Sequence, residues 1–177
     1  MQKITRISSK TVFQHPRLII VEDKIKLVNG AIVPYLRFAG HNYGGVSVLC
    51  TKNNHILVQK EYSYPVNKIL YQLPGGKIEP KETPLRAAIR ELAEESGYKA
   101  SMKTLLGWYY PNARRSNAKM FVFHFDKVEK INKTKGDEEE DIESFWISIE
   151  ELESLFRRRK ITNYSLLAAW TLFLTKK

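Results

Sequence analysis

A glycine loop followed by a carboxylate-rich helix constrains this 177-residue chain more than any other feature. Residues 76–98 read GKIEPKETPLRAAIRELAEESGY. Thr83 is suited to cap a helix, Pro84 to occupy its first turn, and Gly97 to provide its left-handed end. The sequence therefore predicts a loop that leads into a helix between Pro84 and Gly97.

The predicted helix carries an apolar stripe and, beside it, a charged face. The stripe recurs at i, i+3, i+4 and i+7 and is expected to face a core; it consists of Leu85, Ala88, Ile89 and Leu92. Glu91 and Glu95 lie one turn apart, with Glu94 beside them. Like charges at this spacing repel, so a bound cation would relieve a local penalty. Oxygen ligands of this kind suit Mg²⁺ or Mn²⁺, which bridge to substrate phosphate.

A Glu-rich surface helix is the alternative interpretation, but the spacing of the whole segment argues against it. Gly76 is followed after five residues by Glu82, and after seven more by Arg90-Glu91-Leu92-x-Glu94-Glu95-x-Gly97. This pattern resembles the Nudix box of the Nudix hydrolases, with Tyr98 in place of the usual aliphatic residue. The resemblance implies an α/β fold, a Nudix-type α/β/α sandwich with a mixed sheet, and metal-dependent hydrolysis of a phosphoanhydride.

A second acidic segment, GDEEEDIE at residues 136–143, is either a solvated loop or part of the site. With its surroundings it resembles the acidic loop of the ADP-ribose pyrophosphatase branch of the family. The resemblance places the general base at Glu138 and a further metal ligand at Glu140. Because Glu139 lies between them, the register is open by one residue.

The same resemblance implies roles for the remaining site residues. Glu91, Glu95 and the carbonyl of Gly75 or Gly76 would hold Mg²⁺ or Mn²⁺, with Glu94 as a further ligand. Arg90 is expected to clamp Glu82 and so join helix and loop. Candidates for substrate contact are Tyr62, Tyr64 and Tyr71, which would stack on the base unless they belong to the core, and Pro111, Arg114 and Arg115 of the substrate loop. Ser63 stands where the branch often has an arginine that meets the diphosphate.

The rest of the chain predicts strands that fit this fold. Residues 17–28 and 31–38 flank Asn29-Gly30, a type I′ hairpin signal. Further strands are expected at 45–50, 55–61, 71–73, 102–108, 119–126 and 144–147, with helices opened by Ser148 and Asn163. We therefore expect an N-terminal antiparallel β extension over residues 1–42 and a Nudix domain over residues 43–177. By resemblance, the extension pairs two subunits into a homodimer.

Charge and cysteine content limit the partners and the compartment. The net charge of +10 favours polyanions such as nucleotides, diphosphates or RNA, or reflects only a solvated basic surface. The single cysteine, Cys50, lies in an apolar run and allows no disulfide within the chain. No segment approaches the roughly 20 apolar residues of a membrane span, and the N-terminus lacks a secretory signal. A cytoplasmic location is expected.

Three functions are consistent with the sequence. The first is a Mg²⁺-dependent pyrophosphatase that acts on ADP-ribose or a related nucleoside diphosphate sugar. The second is a Nudix enzyme for a dinucleotide, NADH, a nucleoside triphosphate or capped RNA; the basic charge favours RNA, whereas the acidic loop and the N-terminal hairpin favour nucleotide sugars. The third is a non-hydrolytic module that binds a nucleotide, although the carboxylates of the box are intact.

Overall fold

The computed structural model describes residues 4–39, 44–131 and 142–176, which fall into two compact units. The hairpin unit contains residues 4–39 and 112–118. The core unit contains residues 44–111, 119–131 and 142–176. Within these described residues, no helix is long and apolar enough to cross a membrane.

The hairpin unit is an antiparallel sheet in the order β1-β2-β3. Its strands are β1 (Thr5–His15), β2 (Leu18–Lys26) and β3 (Ile32–Ala39). Asp23 of β2 is buried and accepts hydrogen bonds from Ser9 on β1 and from Arg37 on β3. The hydrogen bond from Arg37 lowers the pKa of Asp23 below its ordinary value. A buried ionic cluster therefore ties the three strands together.

The structure confirms the expected hairpin but corrects its turn. The Gly30 amide donates to the Leu27 carbonyl at 3.0 Å, so Val28 and Asn29 are the central residues of the turn and Gly30 follows them at φ +86°. The type I′ expectation was wrong, because it required Asn29 and Gly30 at the centre. The sequence also failed to predict β1, whose side chains are exposed along its whole length and so show no clear apolar alternation.

The core unit contains the remaining strands and helices. The strands are β4 (Gly45–Lys52), β5 (His55–Ser63), β6 (Lys68–Gln72), β7 (Tyr98–Tyr109), β8 (Met120–Lys130) and β9 (Ile142–Ser148). The helices are α1 (Pro84–Ser96), α2 (Ile149–Arg157) and α3 (Tyr164–Thr175), and a short 3-10 turn spans Tyr64–Val66. Ser148 and Asn163 accept hydrogen bonds as the caps of α2 and α3, as predicted.

The core sheet is mixed and is covered on both faces. Its order is β6-β5-β4-β8-β7, with β9 added on β5; β4 and β8 are parallel, and the other pairs are antiparallel. Helix α1 packs Ala87, Ala88 and Leu92 against one face. Helices α2 and α3 pack against the other through residues such as Leu152, Leu166 and Trp170. The predicted α/β/α arrangement with a mixed sheet is confirmed.

Two details of this sheet matter for the site. Strand β5 pairs with β6 through residues 59–63 and with β9 through residues 55–61, which sets Gln59 opposite both Gln72 and Ser144. Cys50 on β4 is fully buried, as expected, and burial raises the pKa of its thiol to about 12. The thiol is therefore a packing group and not a nucleophile.

Candidate functional site

The glycine loop, residues 73–83, is fastened to strand β4 of the core unit. The Val46 amide donates to the Gly76 carbonyl at 2.8 Å, and the Val48 amide donates to the Pro74 carbonyl at 2.8 Å. Gly75 has φ +153°, and a Cβ there would lie 2.1 Å from the Val46 carbonyl oxygen. Any other residue at Gly75 would therefore push the loop off the strand.

Helix α1 begins and ends where the sequence predicts, but it presents a different face to the sheet. Thr83 Oγ1 accepts from the Arg86 amide at 3.3 Å, and Gly97 closes the helix at φ +69°. Leu85 and Ile89 are 41% and 38% exposed, so their predicted place in the core was wrong. Ala87 is fully buried instead.

This rotation has a consequence for the glutamates. Ala87, Glu91 and Glu95 follow one another at intervals of four residues, so they lie along one face of the helix. Turning Ala87 inward therefore turns Glu91 and Glu95 toward the sheet and the glycine loop. The helix forgoes the burial of two large apolar side chains and places two carboxylates inside the fold.

Arg90 is the centre of an ion-pair network between helix and loop. Its Nε and Nη2 donate to the two carboxylate oxygens of Glu82 at 3.1 and 3.0 Å, the clamp that the sequence predicts. Its Nη1 also donates to Glu91 at 2.9 Å and to Glu94 at 3.0 Å. Hydrogen bonding to Arg90 lowers the pKa of Glu82, and the partner carboxylates raise the pKa of Arg90. The contact with Glu91 is unexpected for adjacent helical residues, and it arises because the long arginine side chain folds back along the helix.

Glu95 is held from the other side by the loop and the sheet. Its Oε2 accepts from the Gly75 amide at 3.0 Å and from Gln59 Nε2 at 3.0 Å. Ser144 Oγ donates to the backbone carbonyl of Glu95 at 3.1 Å. Gln59 and Ser144 were not among the residues predicted from the sequence, and the strand offers little signal, because Gln59 follows the apolar residues 56–58 and is itself followed by Lys60.

Glu91 lies directly against Gly76. A Cβ on Gly76 would meet Glu91 Oε1 at 2.5 Å and its Cδ at 2.7 Å. The hydrogen of a glycine is thus what leaves room for this carboxylate beside the loop. Because the Gly76 carbonyl already accepts from Val46, the Gly75 carbonyl is the better placed of the two to bind an ion.

Replacing Gly76 with alanine is expected to displace the Glu91 carboxylate and lower turnover by at least about tenfold, since a misplaced carboxylate loses its role in the site. Gly76 does not have the left-handed φ of Gly75, so the variant should fold. Steady-state kinetics of Gly76→Ala together with its thermal midpoint would check this. Unchanged turnover would show that the close contact with Glu91 has no functional role.

The carboxylates fit a hard divalent cation, although they do not form a complete cage. Among residues 4–39, 44–131 and 142–176, no group of three or more His, Cys, Asp or Glu side chains is arranged to hold a metal ion. Glu91, Glu95 and the Gly75 carbonyl nevertheless offer only oxygen atoms. Mg²⁺ keeps several waters and needs few protein ligands, so this partial donor set is of the right chemistry.

The other predicted site residues are placed as follows. Tyr62 is half-exposed and donates to Asn67 Oδ1 at 2.8 Å, whereas Tyr64 is 84% exposed in the 3-10 turn that follows Ser63. Tyr71 packs edge-on against Phe145 in the core, so it is not available to stack on a base. Pro111 is an exposed residue of the core unit. Glu138, Glu139 and Glu140 lie outside the described residues.

Arg114 and Arg115 belong to the hairpin unit and line a basic cavity there. Hydrogen bonds to β3 fix their segment: the Phe38 amide donates to the Arg115 carbonyl at 2.7 Å, and the side-chain Nη1 of Arg115 donates to the Leu36 carbonyl at 2.8 Å. The cavity of about 520 Å³ is lined by Arg6, Tyr35, Arg37, Phe38, Ala113, Arg114, Arg115, Ser116 and Asn117. Guanidinium groups recognise phosphate in bidentate fashion, so this cavity is suited to a phosphorylated ligand.

A smaller cavity, of about 320 Å³, adjoins the glycine loop in the core unit. Gly75 and Gly76 form one wall, and Gln72 and Asn163 contribute amide groups. Asn163 Nδ2 donates to Gln72 Oε1 at 3.3 Å, and Asn163 Oδ1 accepts from the Ser165 amide at 2.8 Å. These contacts fix the orientation of both amides, which provides a polar surface next to the carboxylate site.

Comparison with known proteins gives a consistent result. A family model for the NUDIX domain matches residues 42–169. An ADP-ribose pyrophosphatase of Bacillus subtilis (strain 168) is 26% identical over 157 residues, which cover 88% of this chain and 84% of that protein. An ADP-ribose pyrophosphatase of Methanocaldococcus jannaschii is 35% identical over 107 residues, 59% of this chain and 62% of that protein. A crystal structure of an ADP compounds hydrolase superposes with a TM-score of 0.89 at 23% identity, covering 99% of this chain and 94% of that one.

Proposed function

The chain belongs to the Nudix hydrolase family, in its ADP-ribose pyrophosphatase branch, and on that premise we propose that it hydrolyses the phosphoanhydride of a nucleoside diphosphate derivative. The substrate is ADP-ribose or a related nucleotide sugar, and ADP-ribose yields AMP and ribose 5-phosphate. One observation carries this proposal: Glu91 and Glu95 meet at the Gly75–Gly76 loop, where Gly76 leaves space for one carboxylate and Gly75 donates to the other.

The proposed cofactor is Mg²⁺, with Mn²⁺ as a substitute. Glu91, Glu95 and the Gly75 carbonyl would hold it together with Glu140, which lies outside the described residues. Bound divalent metal neutralises charge on the diphosphate and lowers the pKa of water. Arg90 and Glu82 hold the helix against the loop, and through Arg90 they also orient Glu91 and Glu94.

Hydrolysis requires a base for the attacking water, and we assign it to Glu138. The carboxylate would remove a proton as the water oxygen bonds to one phosphorus; the bond from that phosphorus to the bridging oxygen breaks, and the bridging oxygen leaves on the other phosphate, so that ADP-ribose yields AMP and ribose 5-phosphate. We expect Glu138→Gln to lower kcat by about 10²–10⁴-fold with a much smaller change in KM, as for loss of a general base. Steady-state kinetics of the glutamine variants at 138, 139 and 140 would check the register. A larger fall in kcat at Glu139 or Glu140 would move the base there.

Two arginines of the hairpin unit are proposed substrate contacts. Arg114 and Arg115 line the basic cavity, where Arg37 is neutralised in part by Asp23. Arg114, Arg115 or a residue of a partner subunit would supply the positive charge that the branch carries on an arginine at the position of Ser63. Tyr62, Tyr64 and Pro111 remain proposed substrate contacts; the exposure of both tyrosines leaves their rings accessible to a base.

A substrate panel with Mg²⁺ or Mn²⁺ and identification of the products tests the function. The panel contains ADP-ribose, nucleotide sugars, NADH, dinucleotides, nucleoside triphosphates and capped RNA. We expect AMP from ADP-ribose at the highest kcat/KM. A higher kcat/KM for release of a nucleoside monophosphate from NADH, a dinucleotide, a triphosphate or capped RNA would assign the chain to that substrate class. Binding of a nucleotide without any release of nucleoside monophosphate would indicate a non-hydrolytic module.

We also propose a homodimer that forms through the residue 1–42 extension, with residues 43–177 as the catalytic domain. The hairpin unit supports this pairing, because it exposes large apolar side chains at 37–60% of their area, among them Phe13, Ile32, Leu36 and Phe38. Light scattering after gel filtration would give the mass in solution. The buried thiol of Cys50 is consistent with the cytoplasmic location that we propose.

A further inference from the structure

Gln59 combines three properties that packing does not explain. It lies on β5 directly after the buried apolar residues 56–58, it is itself fully buried, and its amide faces the helix that carries Glu95. Its Oε1 accepts no hydrogen bond within the described part of the chain. A buried oxygen without a donor costs free energy, so an apolar side chain of similar length would serve a purely structural position better.

The amide hydrogens of Gln59 are both used, and they define its orientation. Nε2 donates to Glu95 Oε2 at 3.0 Å and to Ser144 Oγ at 3.2 Å. A flipped amide would place Oε1 against the Glu95 carboxylate and lose both bonds. Ser144 in turn donates to the Glu95 carbonyl, so strand β9 fixes the backbone and Gln59 fixes the carboxylate of the same residue.

We propose that Gln59 is a positioning residue that orients the Glu95 carboxylate for metal binding. It acts together with the Gly75 amide, which donates to the same oxygen at 3.0 Å. Two donors on one oxygen set the rotation of the carboxylate and, with it, the direction of its lone pairs. The inference rests on the metal role proposed for Glu95, and it adds a residue from the sheet that lies outside the loop and helix of the Nudix box.

The test is a titration of the protein with Mn²⁺ alone, followed by electron paramagnetic resonance of the free ion. Gln59→Met keeps an unbranched side chain of similar length and removes both donors and the unpaired oxygen. We expect Mn²⁺ affinity to fall about tenfold, as for other residues that orient metal ligands, while the thermal midpoint is unchanged or higher. Turnover of the variant relative to the parent should be higher at saturating Mn²⁺ than at low Mn²⁺.

Val58→Ala is the matched control. Val58 is the preceding buried residue of β5, and it packs on the opposite face of the sheet, against α2 and α3. This variant should lower the thermal midpoint and leave Mn²⁺ affinity at the parent value. If Val58→Ala lost as much Mn²⁺ affinity as Gln59→Met, the loss would come from a less stable strand, and the proposal would be overturned.

Glu95→Gln separates this inference from the proposed function. If Gln59 acts through Glu95, Gln59→Met should weaken Mn²⁺ binding no further in the Glu95→Gln background. Additive losses, or parent affinity in Gln59→Met, would overturn the positioning role alone. If Glu95→Gln itself binds Mn²⁺ like the parent, the proposed metal site fails as well. Should Gln59→Met not fold, Gln59→Asn answers the same question, because it withdraws the amide by one methylene; parent affinity there counts against the proposal.

Discussion

Turnover is expected to fall by more than about 100-fold when Glu91 or Glu95 is replaced by glutamine, because each change would remove an anionic ligand of the proposed metal. Mutation of a residue that only orients a metal ligand already costs about 10–100-fold. Glutamine keeps the size of glutamate and can still accept hydrogen bonds from Arg90 or from the Gly75 amide. The fold should therefore persist, with a thermal midpoint close to that of the parent. Initial rates with ADP-ribose and Mg²⁺ would measure the loss.

An exposed glutamate provides the control for these two variants. Glu153 on α2 forms only a surface pair with Arg157, with an N···O distance of 3.7 Å and nearly half of its side chain exposed. Glu153→Gln removes the same charge and should leave turnover at the parent level. Near-parent activity in both Glu91→Gln and Glu95→Gln would refute the site assignment. An equal loss in Glu153→Gln would point to net charge as the cause.

Replacement of Arg90 by methionine is expected to lower the free energy of unfolding by about 2–4 kcal/mol at pH 7. Removing one partner of a buried ion pair costs about 3–5 kcal/mol, and some water reaches this pair because a quarter of the Arg90 side chain is exposed. Methionine keeps the aliphatic stem but leaves the mostly buried carboxylates of Glu82 and Glu91 without their donor. Urea unfolding of both proteins would measure the difference.

The same variant should show a defined dependence on pH. Hydrogen bonding to Arg90 holds the folded pKa of Glu82 below its ordinary value of 4.5. A lowered folded pKa contributes stability that is present above the unfolded pKa and is lost as the pH falls through the folded value. The gap between parent and Arg90→Met should therefore narrow below about pH 4.

Two results would contradict this account of Arg90. One is a difference in the free energy of unfolding between parent and Arg90→Met that stays constant from pH 7 to pH 3. It would mean that the difference does not come from the ion pair with the Glu82 carboxylate. The other is a loss of less than about 1 kcal/mol, the range of surface pairs. Glu82→Gln in the Arg90→Met background should restore part of the stability, since it removes an unpaired buried charge.

Local signals in the sequence predicted much of this fold. The caps at Thr83, Ser148 and Asn163 and the stop at Gly97 depend only on a few neighbouring residues, and the structure shows each one. Spacing within the Nudix box likewise placed Arg90 on Glu82. These features are predictable because backbone and side chain meet within a short segment.

The rotation of α1 was not predictable in the same way. The apolar periodicity of the helix predicts burial of Leu85 and Ile89 and not of Ala87. In the structure Glu91 and Glu95 face the glycine loop, and Ala87, which lies on the same helix face, is buried. Gln59 was missed for a related reason, since its partners come from β9 and α1 and depend on strand register. Strand β1 is exposed along its length, so no alternation revealed it.

The attachment of the glycine loop to β4 couples the site to the slowest part of folding. Val46 and Val48 hold the loop through their amides, and the same strand pairs in parallel with β8, far along the chain. Parallel pairing of distant segments forms late, because loop closure must precede it. Affinity for the proposed metal should thus appear only when the central sheet is complete. Amide hydrogen exchange at Val46 and Val48 is then expected to be as slow as global unfolding.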